Sequence, residues 1–600
     1  MRLWRSLALV LALAGALRAD VAAPFVIPEA ELNDPPTHAR LREIEASASD
    51  SGWLSVALPI RAAASVAYGR GRLAAADAWF HVFQWAALFS EPEDRCLAGW
   101  VDAMRASQLA YPAIAGDYAP ANRPIGSYLS AEMQDWLLSN QAFSDEFFNL
   151  VRPVDKLPVV FGILEGLHRR DPAKFARYQA LALAIAVVYD VPPPPWWPHF
   201  QVSEDALARR LPNPAVPFDW FTREDSLGHT YHRLTQLRAE ELKFVVDAAA
   251  PVAELAWSQQ AVPFGLDGFE GTYQMIHYRT DRTTSVSVMV WSGRPYTLPA
   301  IFEEGGICID QAYFASEAGK ARGIPTLLFN GAGQDGHHAW FGFLDAENHW
   351  RLDAGRYAEQ RLVTGIAIDP QSWTVISDHE LQFLSERFRA LPSYKQSMVH
   401  EEFANDFLLS GHPELAEKAA RTAVNYERRN LAAWETLLAA SAKKGAEAAT
   451  QERIMREAAL AFTRYPDVFK AYKNRVCESL RARGETSLAN FEERSVAEAL
   501  KGDRADLAIE QAAGILSRSI ATQGLTEQLA TYNSILSQFG HGAGTAFFEQ
   551  IVVAFAEHLA QLHQGARARD AVERAREILE VQPGTQFAAE VDQFLGKLQN

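Results

Sequence analysis

Apolar residues recur at helical spacing through most of the first 250 positions. Arg72–Leu88, Ala131–Leu138 and Lys174–Tyr189 read as helices, the last so uniformly apolar that every face must be buried. Pro192–Pro198 interrupts this run, and Arg210–Pro217 is a second proline-rich link. The period then shortens. Tyr273–Tyr278 and Ser285–Trp291, rich in β-branched and aromatic residues, read as strands. Thr326–Phe329 reads as a buried strand followed by the loop Asn330–Gly336. His338–Leu344 and His349–Asp353 read as a hairpin joined by Asp345–Asn348. Beyond about Ser393 the pattern is helical again, with Ala-rich amphipathic segments at Pro413–Asn425, Ala432–Lys443 and Glu452–Thr463 separated by short polar turns. The expected fold class is α+β: a mainly helical region over 20–250, a mixed domain over 255–385 and a helical, solenoid-like region over 393–600.

Between the two sheet-forming stretches lies a helix with an unusual face. Cys308, Ala312, Ala315 and Gly319 fall on one side and carry almost no bulk, so the helix axis can lie close against a sheet. Gly305 and Gly306 precede it, and Gly323 and Pro325 end it. Cys308 is thereby expected in the first turn, where unpaired N–H groups and the helix dipole favour a thiolate. Asp310 and Gln311, which follow it, read as ordinary helix-start residues.

About thirty residues on stands His338, and about fifteen further Asp353. With a four-residue hairpin loop, Leu344 faces His349 and Asp353 faces Trp340, which puts Asp353 one diagonal step from His338 on the same face. Such neighbours are about 7–8 Å apart at the backbone, within side-chain reach. A thiol at a helix start, an imidazole to take its proton and a carboxylate to orient that imidazole are the parts of an activated nucleophile. Strand alternation sends His337 to the opposite face, and Trp340 to the same face as His338.

These motifs, G-x-C at a helix start, G-I-P, H-A-W and W-x-x-D, resemble over Tyr273–Tyr357 the core of the transglutaminase-like superfamily, which shares papain's catalytic logic. The resemblance implies a cysteine-protease-like fold for 255–385, with Cys308 as nucleophile, His338 as base and Asp353 as its orienting partner. It implies action on amide bonds of a protein or peptide substrate through a thioester, which passes to water or to an amine. Papain-like enzymes commonly place a Gln donor shortly before the cysteine, yet no Gln or Asn occurs between Gly293 and Cys308. Transglutaminase-like proteins often use an aromatic donor there, which points to Tyr296 or Trp291. The rival expectation is a scaffold whose transglutaminase-like core binds without cleaving. Towards the C-terminus, Gly411 and Gly445 are spaced by the ~34-residue period of tetratricopeptide repeats, and Leu408, Leu409 and Ala423 resemble that pattern. Such helix pairs present a groove to a protein partner.

Composition narrows the setting. Met1–Arg5 carries two arginines and leads into the apolar run Leu7–Leu17 and then Arg18-Ala19, the pattern of a secretory signal over 1–19. That run falls short of the ~20 residues needed to cross a bilayer, so the mature chain is expected to be exported, periplasmic or extracellular, without a membrane span. Three cysteines in 600 residues exclude a disulfide-stapled fold, and Cys96 and Cys477 read as buried thiols. A formal charge of −17 without a basic stripe argues against a nucleic-acid partner. No cofactor fingerprint occurs and no metal-ligand set stands out; the step His229-x-x-His232 lacks a third ligand, and Trp196-Trp197 read as a packed or exposed turn.

Overall fold

The computed structural model describes residues 25–106, 123–199, 202, 211–282, 291, 295–333, 336–357, 363–502 and 504–598. The leader expected over 1–19 and most of the strand expected over 285–291 lie outside the described residues. No helix among the described residues is long and apolar enough to cross a membrane.

The N-terminal region is helical, as its periodicity predicts. The helix Leu73–Ser90 buries aromatic and small residues on nearly every face, among them Trp79, Trp85 and Phe89. Ala131–Ser139 forms the next expected helix, capped by the Ser130 hydroxyl, which accepts from Met133 N. The segment expected to be one helix over 174–189 is two, Pro172–Arg177 and Gln179–Val188, because Tyr178 leaves helical geometry at φ −115° and ψ 35°. Residues 181 to 188 are all buried, in keeping with their unbroken apolar run. The link expected over 210–217 is shorter, since a helix begins at Ala215 and takes Pro217 into its first turn, where proline loses no hydrogen bond.

One five-stranded antiparallel sheet sits in the middle of the chain, in the order β3-β2-β1-β4-β5. Its strands are β1 (Thr326–Ala332), β2 (His337–Leu344), β3 (Trp350–Ala354), β4 (Ile366–Ile368) and β5 (Val375–Ser377). Tyr273–Tyr278 is not the expected strand: Leu266–Met275 is a 3-10 helix, and only Tyr278 pairs, in an isolated bridge with Gly306. The helix Cys308–Lys320 packs on the sheet face that carries Ala339, Phe341 and Phe343, through Ile309, Ala312 and Ala315. Its approach is as close as the small face allows. A Cβ on Gly319 would stand 2.4 Å from Phe269 Cζ and 2.7 Å from Thr326 Cγ2.

The C-terminal region is a series of antiparallel helix pairs: Pro392–Leu409 with Pro413–Tyr426, Leu431–Lys443 with Ala448–Ala461, and Pro466–Ala482 with Thr486–Leu500. Gly411, Gly445 and Gly484 each turn the chain inside a pair at positive φ, 81°, 74° and 82°. The architecture is thus helical and repeat-like, on the expected helices. One continuous apolar core runs from Leu32 to Phe403 and includes Tyr313, Phe314, Ala318, Leu344 and Trp373 of the sheet-bearing segment. Two smaller cores lie on the two faces of the sheet, one around Phe269, Ala312 and Phe341 and one around Phe329 and Trp340, and two further ones, within 383–489 and 496–591, belong to the C-terminal helices.

Candidate active site

Cys308 opens its helix as its first residue. The turn before it is set by Gly305, whose φ of 74° and whose contact with His277 O (2.3 Å from a would-be Cβ) exclude any other residue without a shift. Asp310 then fixes the entry, as the helix-start reading expects: its Oδ2 accepts from Ile307 N at 2.8 Å, and its Oδ1 accepts from the Tyr296 hydroxyl at 2.7 Å.

The thiol is half-buried as a residue. Its pKa departs from the expectation of a stabilised thiolate. Burial pushes it up, and the Asp310 charge adds to this, while the N–H groups of Ala339, Ile309 and Cys308 itself pull the other way. In the resting chain desolvation outweighs the helix start, so the sulfur carries its proton. The Ala339 N–H on the sulfur places Cys308 beside the peptide bond that joins His338 to Ala339.

His338 is 5 % exposed and lies on β2 in a nest of aromatic rings. It stacks on Tyr357 at 4.2 Å, on Trp340 at 6.0 Å and meets Tyr273 edge-on at 6.3 Å between centroids. Trp340 is therefore on the same side as the histidine, as alternation requires, while His337 is exposed and 3.4 Å from Glu549, whose carboxylate raises its pKa. His338 Nε2 lies 2.9 Å from Gly355 O. A carbonyl only accepts, so Nε2 carries the proton and Nδ1 holds the basic lone pair.

The partner expected for that ring was the Asp353 carboxylate, and the register explains the difference. Leu344 pairs with Trp350 rather than His349, and a bulge between Phe341 and Phe343 then brings Ala354 opposite Phe341. Extended along the ladder, this sets His338 against Tyr357 and puts Gly355 O, not Asp353, at the ring. Asp353 is exposed, and among the described residues no hydrogen bond or ion pair joins it to His338. The turn causes the slip: Asp345 Oδ1 accepts from Glu347 N and His349 N, both at 2.9 Å, and Asn348 adopts φ 57°, so the loop takes one residue more than four.

Three residues about His338 escaped the sequence reading. Tyr273 donates its hydroxyl to Ala339 O at 2.8 Å, bracing the strand beside both Cys308 and His338. Gly355 turns at φ 86° with no room for a Cβ, which would lie 2.5 Å from Tyr273 Cδ2. Tyr357 supplies the stacking face. Gly355 and Tyr357 lie just past the W-x-x-D step, and a glycine there was the one available signal.

The two suggested oxyanion donors are both buried, Tyr296 at 1 % and Trp291 at 5 % exposure. The Tyr296 hydroxyl is given to Asp310 and stands 3.1 Å from His199 Nε2, and both contacts lie on the capping side of the helix. Trp291 packs edge-on against Tyr296 at 4.9 Å and under Arg282 at 4.6 Å, and its Nε1 is buried without a hydrogen-bond partner among the described residues. Cys96 and Cys477 are free thiols like Cys308, with pKa values pushed up to about 12 and about 11 by burial. His229 is tied to Glu224 at 2.7 Å and His232 to Leu344 O at 3.0 Å, which separates that pair. Trp197 packs edge-on against Trp373, and Trp196 is 38 % exposed. No family model, curated protein or solved structure matches this chain.

Proposed function

We propose that the chain is an exported transglutaminase-like cysteine hydrolase or acyltransferase that acts on amide bonds of proteins or peptides. The observation that carries the reading is the seat of Cys308: a sulfur at the start of a helix, touched by the Ala339 N–H and thus one peptide unit from His338. Because burial keeps the thiol protonated, activation is general-base rather than by a standing ion pair. His338 Nδ1 takes the S–H proton as sulfur bonds to the amide carbon. The Cys308 N–H is placed to donate to the developing oxyanion. Collapse breaks the C–N bond, the imidazolium returns its proton to the leaving amine, and a thioester remains. Water, deprotonated by the same nitrogen, hydrolyses it; a primary amine in place of water gives transamidation. Gly355 O holds the ring in the working tautomer but supplies no full negative charge, so the imidazolium is stabilised less than by a carboxylate.

The test is mass spectrometry of the intact protein after treatment with a peptidyl electrophile, wild type against His338→Gln. Labelling confined to Cys308 and at least roughly a hundredfold slower without the base supports the reading, within the range general bases contribute. Equal labelling of both proteins removes it. The scaffold is favoured by one observation, the separation of Asp353 from His338, and it requires that Cys308→Ala bind the same peptides as wild type while no adduct forms.

A further inference from the structure

A cavity of about 510 Å³ lies away from Cys308, between the helix Leu73–Ser90, the helix Gln141–Leu150 and the helix Pro392–Leu409. Asp77 and His81 stand on its wall one helical turn apart, a spacing that puts both side chains on one face. Glu402 reaches the same spot from the opposing helix. One ligand atom from each of the three lies within 4.8 Å of the others.

Two independent features mark this as more than a chance gathering of acids. The His81 side chain is only 5 % exposed, its ring lines the cavity, and its Nδ1 is enclosed without a hydrogen bond, 3.4 Å from Asp145 Oδ1. Glu402 Oε2 is likewise enclosed and makes no hydrogen bond. Enclosed polar atoms without hydrogen bonds are costly and uncommon, and here two of them belong to residues of the one cluster. Three of the basic side chains of the wall are engaged elsewhere: Arg152 faces Asp369 at 3.6 Å, Arg238 faces Glu240 at 3.7 Å and Glu241 at 3.2 Å, and Arg389 donates to the Tyr394 hydroxyl at 2.7 Å; the charge of the fourth, Lys395, acts on Asp145. Among the described residues no lysine or arginine forms an ion pair with Asp77 or Glu402.

We propose that Asp77, His81 and Glu402 form a binding site for one divalent transition-metal cation of the Zn²⁺, Co²⁺ or Mn²⁺ class. The mixed imidazole and carboxylate set suits these ions over Ca²⁺, which prefers oxygen alone. Ligand atoms held ~2.0–2.2 Å from one ion lie roughly 3–4 Å apart, so the three groups need close only slightly. Three protein ligands leave coordination positions open to the cavity, as in sites that bind an exogenous ligand rather than closed structural sites. The ion would also join the helix Leu73–Ser90 to the helix Pro392–Leu409.

Co²⁺ titration of the full chain tests this, because its visible spectrum reports both stoichiometry and ligand type. One equivalent should bind with bands of nitrogen and oxygen ligation and without the charge-transfer band of a thiolate. His81→Gln and Glu402→Gln should each weaken binding by at least the ~10-fold typical of losing even an outer-shell partner. His337→Ala, at the exposed cluster with Glu549 and Glu590, should leave it unchanged. X-ray absorption of Co²⁺-loaded wild type needs no variant to fold and should show a single imidazole. No uptake by wild type, sulfur in the shell, or wild-type affinity in His81→Gln and Glu402→Gln overturns the proposal.

Discussion

Replacing Gly355 by alanine probes the wall behind His338. The backbone there sits at φ 86°, a conformation that disfavours any side chain, and the new Cβ would stand 2.5 Å from Tyr273 Cδ2 and 2.7 Å from Cε2. Left-handed backbone costs a non-glycine residue roughly 1–2 kcal/mol, and overpacking of this severity adds about 1–3 kcal/mol. The sum is roughly 2–5 kcal/mol. The two parts are separable, because only the second depends on the Tyr273 ring. In a double-mutant cycle with Tyr273→Ala, the overlap vanishes and the strain stays, so the pair should show a coupling of about 1–3 kcal/mol in the direction of relief. Urea unfolding followed by tryptophan fluorescence measures the four proteins. The same substitution displaces the carbonyl that holds Nε2 of His338, so peptidyl labelling of Cys308 should slow in Gly355→Ala. Additive destabilisation across the cycle, with labelling unchanged in Gly355→Ala, refutes the claim that Gly355 and Tyr273 together position the histidine.

Tyr296→Phe should leave Cys308 labelling within a few-fold of wild type, since the hydroxyl serves Asp310; a loss approaching the ~100-fold of a missing oxyanion donor shows the opposite. Lys243→Met should cost about 3–5 kcal/mol by thermal or urea unfolding, because it strips a cation from the buried Asp369 at 2.9 Å, and Asp369→Asn in the same chain should recover part of it. Asp155 and Asp190 are buried carboxyls, and burial lifts Asp155 to about 7. Its proton affinity is thus higher folded than unfolded, so its contribution is complete below about pH 4 and is lost as pH rises through about 7. Unfolding at pH 5 and pH 8 should accordingly differ less in Asp155→Asn than in wild type, on the order of 3 kcal/mol, and an unchanged difference rejects this assignment.

Much of this was legible in the chain. The Cys308 helix followed from Ala312, Ala315 and Gly319, because a face of small residues has only one use beside a sheet, and the structure fills that face with Phe269 and Thr326. His338 and Trp340 fell on one side by alternation alone. The partner of His338 was misread because register is decided by the turn, and alternation says nothing about an Asp345 side chain that caps two amides or about a bulge at Gly342. Tyr178 splits the helix expected over 174–189, and its hydroxyl donates to Asp225 Oδ2 at 2.9 Å, a distant partner that local periodicity does not encode. The thiol's raised pKa depends on how deeply packing encloses it, which no local motif encodes. Asp77 and His81 are visible as a one-turn pair, but their meeting with Glu402 depends on the docking of distant helices.

The core that runs unbroken from Leu32 to Phe403 has a consequence for how this protein is dissected and how it arose. A fragment cut at residues 255 and 385 would lay bare Tyr313, Phe314, Ala318, Leu344 and Trp373, now sealed by helices from the first 250 residues. Such a fragment is expected to aggregate rather than fold, so recombinant work needs the N-terminal helices in cis or supplied as a co-expressed partner. The sheet and its thiol helix keep two smaller cores of nearly their own residues, so it is the seam with the N-terminal helices, not the sheet itself, that such a cut breaks. Substitutions on either side of the seam must therefore be accepted together, and the C-terminal helix pairs, with cores of their own, are the part of the chain free to lengthen, shorten or be exchanged.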